Sequence, residues 1–152
     1  MRIPLPSRTR LSMGAAILIF YAIAVLVVTL WPTPVDAGIA PWIDRVLSAL
    51  HRDGLPGWIG YHTVEFAANI AMFAPVGFLV AMLLPNHLWW LACVGCFTVS
   101  ATIELAQAMF LSARFATAED VVANSLGATV GALLCVALRG ARAGRRLTRR
   151  AP

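Results

Sequence analysis

The sequence predicts an all-α protein, a membrane-embedded antiparallel four-helix bundle that forms one domain over residues 1–152. Of the 152 residues, 60% are hydrophobic and only 12% are charged, far below the roughly one-quarter charged content of an ordinary soluble domain. The apolar residues fall into four blocks, and two of the three connections between the blocks are short. Nine of the twelve arginines lie in the first ten or the last fourteen residues. Charge is therefore concentrated at the ends of an apolar chain.

Each of the four apolar blocks is long enough to cross a bilayer. At a rise of about 1.5 Å per residue, some twenty residues span a hydrocarbon core of roughly 30 Å. The first block exceeds the usual apolar region of a signal peptide, about 7–15 residues, so an uncleaved anchor is favoured over cleavage near Val35-Asp36-Ala37. The predicted spans are about 11–30, 64–84, 88–111 and 121–138, followed by a basic tail over 139–152.

The only long connection, residues 32–63, contains an amphipathic segment. Ile43, Val46, Leu47 and Leu50 share one helical face there. This pattern predicts an extracytoplasmic interfacial helix between the first two spans, and a ligand-binding lid is the alternative.

The distribution of arginines predicts the orientation. Three precede the first span and six follow the fourth, against two in the long loop and one between the third and fourth spans. Because cytoplasmic segments carry the excess of basic residues, we expect both termini in the cytoplasm of a bacterial cell and the chain in its inner membrane. Membrane lipids are the expected partners of the arginines, since no nucleic-acid-binding motif accompanies them.

Three of the four predicted spans pair an acid with an amide on one helical face. A charge inside a span costs about 2.5–3.5 kcal/mol on insertion scales, so such residues need a partner or a function. The topology places all of them in the outer half of the membrane, where they form a candidate polar pocket, and Arg114 is expected to pair with Glu104 or Asp120. The three pairs are Glu65 with Asn69, Glu104 with Gln107, and Asp120 with Asn124.

Small residues predict where helices approach closely. Gly127 and Gly131 lie on the same face as Asn124 and allow close packing, within one chain or in a homo-oligomer. In the second span, Pro75 removes a backbone donor and Gly77 weakens the same turn, which predicts a kink near mid-membrane.

Other reactive side chains give no site. Cys93-Val-Gly-Cys96 has the spacing of a redox or zinc motif, but it lies inside an apolar segment and predicts membrane packing instead. Ser100 and His62 are isolated in the sequence, and we interpret them as packing or interfacial residues. We therefore predict no metal, no cofactor and no identifiable catalytic residue.

Two blocks of the sequence resemble the VanZ-like family. The first is Glu65-Phe-Ala-Ala-Asn69-Ile-Ala-Met-Phe73-Ala-Pro75-Val-Gly77-Phe78, and the second is similar to the family's E-x-x-Q, arginine and D-x-x-x-N-x-x-G motifs. The resemblance covers roughly residues 20–138, with Thr117 where the family often has an aspartate. The residues that match the second block are Glu104, Gln107, Arg114, Asp120, Asn124, Gly127 and Gly131.

The resemblance implies an integral membrane protein of the bacterial envelope, from a family whose namesake is associated with teicoplanin-type glycopeptide resistance. Our leading hypothesis is a non-enzymatic protein whose outward polar pocket binds a lipid headgroup, a lipid-linked cell-wall precursor or a lipoglycopeptide. One alternative is an intramembrane enzyme that acts on a lipid-linked substrate with paired carboxylates. The other is a structural protein whose polar pairs only hold helices together.

Overall fold

The computed structural model of the protein describes residues 8–33, 38–111 and 117–148, and all regular structure in these residues is helical. This confirms the all-α prediction. Four of the helices are long and apolar enough to cross a membrane, as the sequence predicts. The elements are α1 (Arg8–Thr29), α2 (Ala40–Arg52), α3 (Tyr61–Leu83), a 3-10 turn (Asn86–Leu88), α4 (Trp90–Phe110) and α5 (Ala118–Thr148).

Helix α5 packs against both α3 and α4. Three of its alanines, Ala123, Ala128 and Ala132, are fully buried, whereas Val130 and Leu134 are exposed. The small residues let two helices lie close to α5, and the large apolar side chains point outward. In a membrane protein these outward side chains face lipid.

The contact between α3 and α5 is made by backbone against backbone. A Cβ atom added to Gly127 would overlap the carbonyl group of Ile70, and one added to Gly131 would overlap the carbonyl group of Ala74. From the other side, a Cβ on Gly77 would overlap the backbone of Ala128. Only glycine permits this separation.

Helix α5 is longer than the sequence suggested. The predicted fourth span ends at residue 138, but the helix continues to Thr148, so the first ten residues of the predicted tail are helical. Alanine and arginine are good helix formers and outweigh Gly140 and Gly144 in this segment. With 31 residues, α5 is about 46 Å long and exceeds a hydrocarbon core of roughly 30 Å.

Helix α1 contacts the other helices along one narrow stripe. Gly14, Val25 and Thr29 are buried and Tyr21 is half-buried, whereas Ile17, Ile23 and most other apolar side chains of α1 are exposed. Val25 packs with Phe73 of α3 and Ile103 of α4. The helix is therefore held along a single line, three or four residues apart, as expected for one helical face.

The amphipathic segment in the long loop forms helix α2. Leu47 is buried and α2 contacts α3, while Trp42 and Trp58 are exposed. The imidazole Nε2 of His51 lies 3.1 Å from the backbone carbonyl of Ile59 and ties the end of α2 to the segment that enters α3.

Candidate functional site

Thr117 stands at the start of α5 and organises a cluster of polar side chains. Its hydroxyl accepts a hydrogen bond from the backbone N–H of Asp120 at 3.1 Å, as a helix N-cap does. The same hydroxyl donates to Oδ2 of Asp120 at 3.0 Å. Thr117 and Asp120 have the spacing of a helix-capping motif, which is the sequence signal that could have identified Thr117 as part of the site.

Asp120 connects α5 to α3. Its second carboxylate oxygen, Oδ1, accepts a hydrogen bond from Nδ2 of Asn69 at 2.6 Å. Because both carboxylate oxygens accept bonds from side chains of fixed position, the carboxylate is held in one orientation. Its place in the first turn of α5 also sets its negative charge at the positive end of the helix dipole.

Glu104 brings α4 into the same cluster. Its Oε2 accepts a hydrogen bond from the backbone N–H of Thr117 at 2.8 Å, and the residue is only 9% exposed. The carboxyl groups of Glu104 and Asp120 are thereby joined through one threonine. We call the four residues Asn69, Glu104, Thr117 and Asp120 the polar cluster.

An open depression lies beside the polar cluster, between the end of α4 and the start of α5. Its volume is about 310 Å³. Glu104 and Thr117 contribute the polar part of its lining, and the remaining walls are apolar. The apolar lining residues are Leu105, Ala108, Ala118 and Val121.

A second polar pair lies one turn deeper. Nδ2 of Asn124 donates to Oγ of Ser100 at 2.9 Å, and both side chains are buried. Ser100, which the sequence left isolated, therefore links α4 to α5. Among the residues that the structure describes, the buried Oδ1 of Asn124 has no hydrogen-bond partner.

Gln107 faces a different neighbour from Glu104. Its Nε2 donates to the backbone carbonyl of Thr29 at 2.7 Å, in a buried bond. Thr29 is the last residue of α1, where carbonyl groups lack partners within the helix. Gln107 therefore caps α1 and ties it to α4.

Glu65 lies in the first part of α3, four residues before Asn69. Its carboxylate is 3.6 Å from Nδ1 of His62, one turn earlier on α3, and the two side chains are 45% and 92% exposed. The structure thus brings Asn69, Glu104 and Asp120 together and sets Glu65 one turn away from Asn69. Arg114, the expected partner of the acids, lies outside the described residues.

Four of the five residues assigned to packing or a kink lie at helix contacts. Phe73 is 2% exposed, and Gly77, Gly127 and Gly131 form the contact of α3 with α5. Helix α3 stays helical through Pro75. Near this proline, the hydroxyl of Tyr21 donates to the backbone carbonyl of Met72 at 3.0 Å.

At the opposite end of α5, Arg139 caps α3. Its guanidinium donates to the carbonyl of Met82 at 2.6 Å and to that of Leu84 at 3.2 Å. A positive charge there also stabilises the negative end of the α3 dipole. In the sequence Arg139 is part of the basic tail, and nothing local marks a bond across 55 residues.

Four long apolar helices with buried polar contacts between them define a multi-pass membrane protein. The chain belongs to the VanZ/LLP1 family, whose model matches residues 18–139. The matched range contains the polar cluster, the α3–α5 glycines and, as its last residue, Arg139. No curated protein and no solved structure matches the chain.

Proposed function

We propose that the four long helices form an antiparallel bundle in the bacterial cytoplasmic membrane, with both termini in the cytoplasm and α2 on the extracytoplasmic surface. The contacts between helices support this topology. Gly14 and Tyr21 of α1 meet Met82 and Met72 of α3, in opposite order along the two helices. Helices α4 and α5 also pair in opposite order, through Glu104 with Thr117 and Ser100 with Asn124.

A C-terminal fusion tests this topology. Green fluorescent protein fused after residue 152 should fluoresce, and alkaline phosphatase at the same position should be inactive, because the proposed C-terminus is cytoplasmic. The converse pattern is expected for fusions placed in the segment between α4 and α5. An active phosphatase at the C-terminus would reverse the orientation and put the polar cluster on the cytoplasmic side.

Within this topology, the depression beside the polar cluster binds an amphiphile of the outer leaflet. The observation that carries this function is the nearly buried carboxyl group of Glu104, which lines an open depression with apolar walls. Ligand sites typically combine such walls with a few fixed polar groups. A lipid headgroup, a lipid-linked cell-wall precursor or a lipoglycopeptide has both the hydrogen-bond donors and the apolar part that this surface suits.

Binding of this kind lowers susceptibility to teicoplanin-type glycopeptides, either by holding the drug or by holding the precursor that it targets. The Asp120 carboxylate contributes indirectly: it fixes Thr117, and Thr117 fixes Glu104 through its backbone N–H. We therefore assign Glu104 to ligand contact and Asp120 and Asn69 to positioning.

The test compares teicoplanin and vancomycin susceptibility in a host that expresses the protein or carries an empty vector. Glu104→Gln keeps the size of the side chain and one oxygen that can accept the bond from the backbone N–H of Thr117, but it removes the charge. We expect this variant to lose the susceptibility phenotype at unchanged membrane abundance, measured by immunoblot. The matched control is Glu65→Gln, which removes the same charge from an exposed carboxylate outside the polar cluster and should behave as wild type.

A purely structural role is the second candidate. It is favoured by the amides, since Asn69, Gln107 and Asn124 each bond a group on another helix. In that case Glu104→Gln would preserve both abundance and phenotype, whereas Glu104→Ala would lower both. If expression changes susceptibility to no envelope-active compound, the ligand-binding function is wrong.

A further inference from the structure

A buried amide at the contact of α4 with α5 has an oxygen that no donor reaches. Nδ2 of Asn124 donates to Oγ of Ser100, and the two residues are 3% and 0% exposed. Oδ1 of Asn124 accepts no hydrogen bond from any residue that the structure describes. A buried polar atom of this kind has given up its bonds to water and gained none in exchange, so nearly all such atoms in proteins have a partner. This oxygen therefore needs a donor.

The hydroxyl hydrogen of Ser100 is a complementary group beside it. The hydroxyl accepts the bond from Asn124 and makes no further bond within the described part of the chain. Its hydrogen is therefore available to a neighbour that can accept it. Other hydroxyls of the described helices instead donate to a carbonyl of their own helix, four residues earlier. They are Thr29, Thr98, Thr102, Ser125 and Thr129.

We propose that Ser100 and Asn124 form a binding site for one internal water molecule. The water accepts the hydrogen of the Ser100 hydroxyl and donates one of its own to Oδ1 of Asn124, which closes a ring of three hydrogen bonds. Water suits the pair because it both donates and accepts. A metal cation would serve the oxygen but would leave the serine hydrogen unused. If the two ends of the amide were exchanged, the serine would donate to Oδ1 and the water would accept from Nδ2.

The nearest residues on the same helical faces agree with a site of this size. Cys96 lies one turn deeper than Ser100 on α4, and Ala128 lies one turn deeper than Asn124 on α5. Both side chains are small and buried. A water-sized site requires small neighbours and at least two polar partners, and this pair supplies one donor and one acceptor.

The depression beside the polar cluster gives water a route to this pair. Glu104 lines the depression, and Ser100 lies four residues earlier on the same face of α4. One helical turn, about 5.4 Å, therefore separates the polar wall of the depression from the buried serine. The inference rests on the contacts between α4 and α5 and not on the ligand proposed for the depression.

Water-edited solid-state NMR tests this site in the isotope-labelled full-length protein, reconstituted in proteoliposomes. The experiment measures how fast magnetisation passes from water to each assigned group. We expect the side-chain amide of Asn124 to receive it as readily as that of Asn86, which is exposed. The dry reference is Ala132, which is 0% exposed and lies in an apolar cluster. Transfer to Asn124 in wild type that is no faster than transfer to Ala132 overturns the proposal.

A pair of valine variants separates the site from its surroundings. Ser100→Val puts one methyl group in place of the hydroxyl and a second in the space of the water, so the transfer to Asn124 should fall to the level of Ala132. The matched control is Ser125→Val, because the hydroxyl of Ser125 bonds a carbonyl of its own helix. It should leave the transfer to Asn124 unchanged. Circular dichroism checks that both variants are folded, and equal transfer in the two variants contradicts the assignment of the water to Ser100.

Discussion

Helices α5 and α1 are both long and apolar, but they are attached to the rest of the protein in different ways. Helix α5 is buried against α3 and α4, and its contact with α3 leaves no room for a Cβ atom at Gly127 or Gly131. Helix α1 contacts the protein along one stripe and leaves Ile17, Phe20 and Ile23 exposed. Hydropathy alone does not separate them, since both are long and apolar enough to cross a membrane.

The difference shows what holds helices together in lipid. Because lipid tails are as apolar as leucine, exposed apolar surface gives little drive for helices to associate, and close packing and hydrogen bonds provide it. Helix α5 has both kinds of contact along its length. Helix α1 has two bonds to other helices among those described above, Tyr21 to Met72 and Gln107 to Thr29.

The largest effect is expected at the contact of α5 with α3. Gly131→Ala would place a Cβ atom against the backbone carbonyl of Ala74, and backbone atoms cannot move aside as a flexible side chain can. We expect the free energy of unfolding to fall by about 3 kcal/mol, measured by steric trapping in bicelles.

Two other glycines provide matched controls for that substitution. Gly95→Ala adds a Cβ atom to α4 in open space, and Gly14→Ala on α1 meets only the flexible ends of Met82 and Leu83. Both should change the free energy of unfolding by less than about 1 kcal/mol. If Gly14→Ala is as damaging as Gly131→Ala, the contrast between α1 and α5 is wrong.

The next effect concerns the cap that α5 gives to α3. Arg139→Met keeps the apolar stem but removes the donors to Met82 and Leu84, so two carbonyl groups lose a charged partner. We expect a loss of about 2 kcal/mol in the same assay. Arg142→Met, at an exposed arginine one turn further, should have almost no effect in detergent or neutral bicelles.

A smaller effect is expected at the start of α5. Thr117→Ala removes the N-cap hydroxyl and its bond to Asp120, at a cost of about 1 kcal/mol. Thr117→Ser retains the hydroxyl and should restore most of the stability. A serine variant as unstable as the alanine variant would show that the methyl group, and not the hydroxyl, makes the contribution.

The smallest effect is expected for α1. Tyr21→Phe removes one hydrogen bond, from the hydroxyl to the carbonyl of Met72, and leaves the ring in place. Bonds of this kind between membrane helices contribute about 0.6 kcal/mol on average. The same unfolding assay should show a change near that value. A change larger than that of Thr117→Ala would mean that α1 is held more firmly than its exposed surface indicates.

Part of the candidate site could be predicted from the sequence. Asn69, Glu104 and Asp120 stand out as polar residues in apolar helices, and the alternation of spans brings them to one depth. Their actual partners could not be predicted, because Glu104 bonds a backbone N–H and Asn69 bonds a carboxylate across 51 residues. Helical spacing shows which residues share one side of a helix. Which residue of another helix lies opposite them depends on how the two helices pack.

The same limit explains Gln107 and Ser100. Gln107 shares a helical face with Glu104, yet it caps α1 instead of joining the polar cluster. Ser100 has no polar neighbour in sequence, yet it accepts the bond from Asn124. In both cases the partner lies on another helix, α1 for Gln107 and α5 for Ser100, and sequence spacing cannot position that helix.

The sequence by itself determined that the chain is helical and crosses a membrane, because the length of an apolar run and the cost of burying charge are local properties. It also determined where another helix can approach α5 closely, because Gly127 and Gly131 have no side chain to prevent it. Only the tertiary structure decided that they face Ile70 and Ala74, that Thr117 joins two carboxyl groups, and that Arg139 of α5 caps α3. These are contacts between distant segments, and their pairing is fixed by the mutual fit of whole helices.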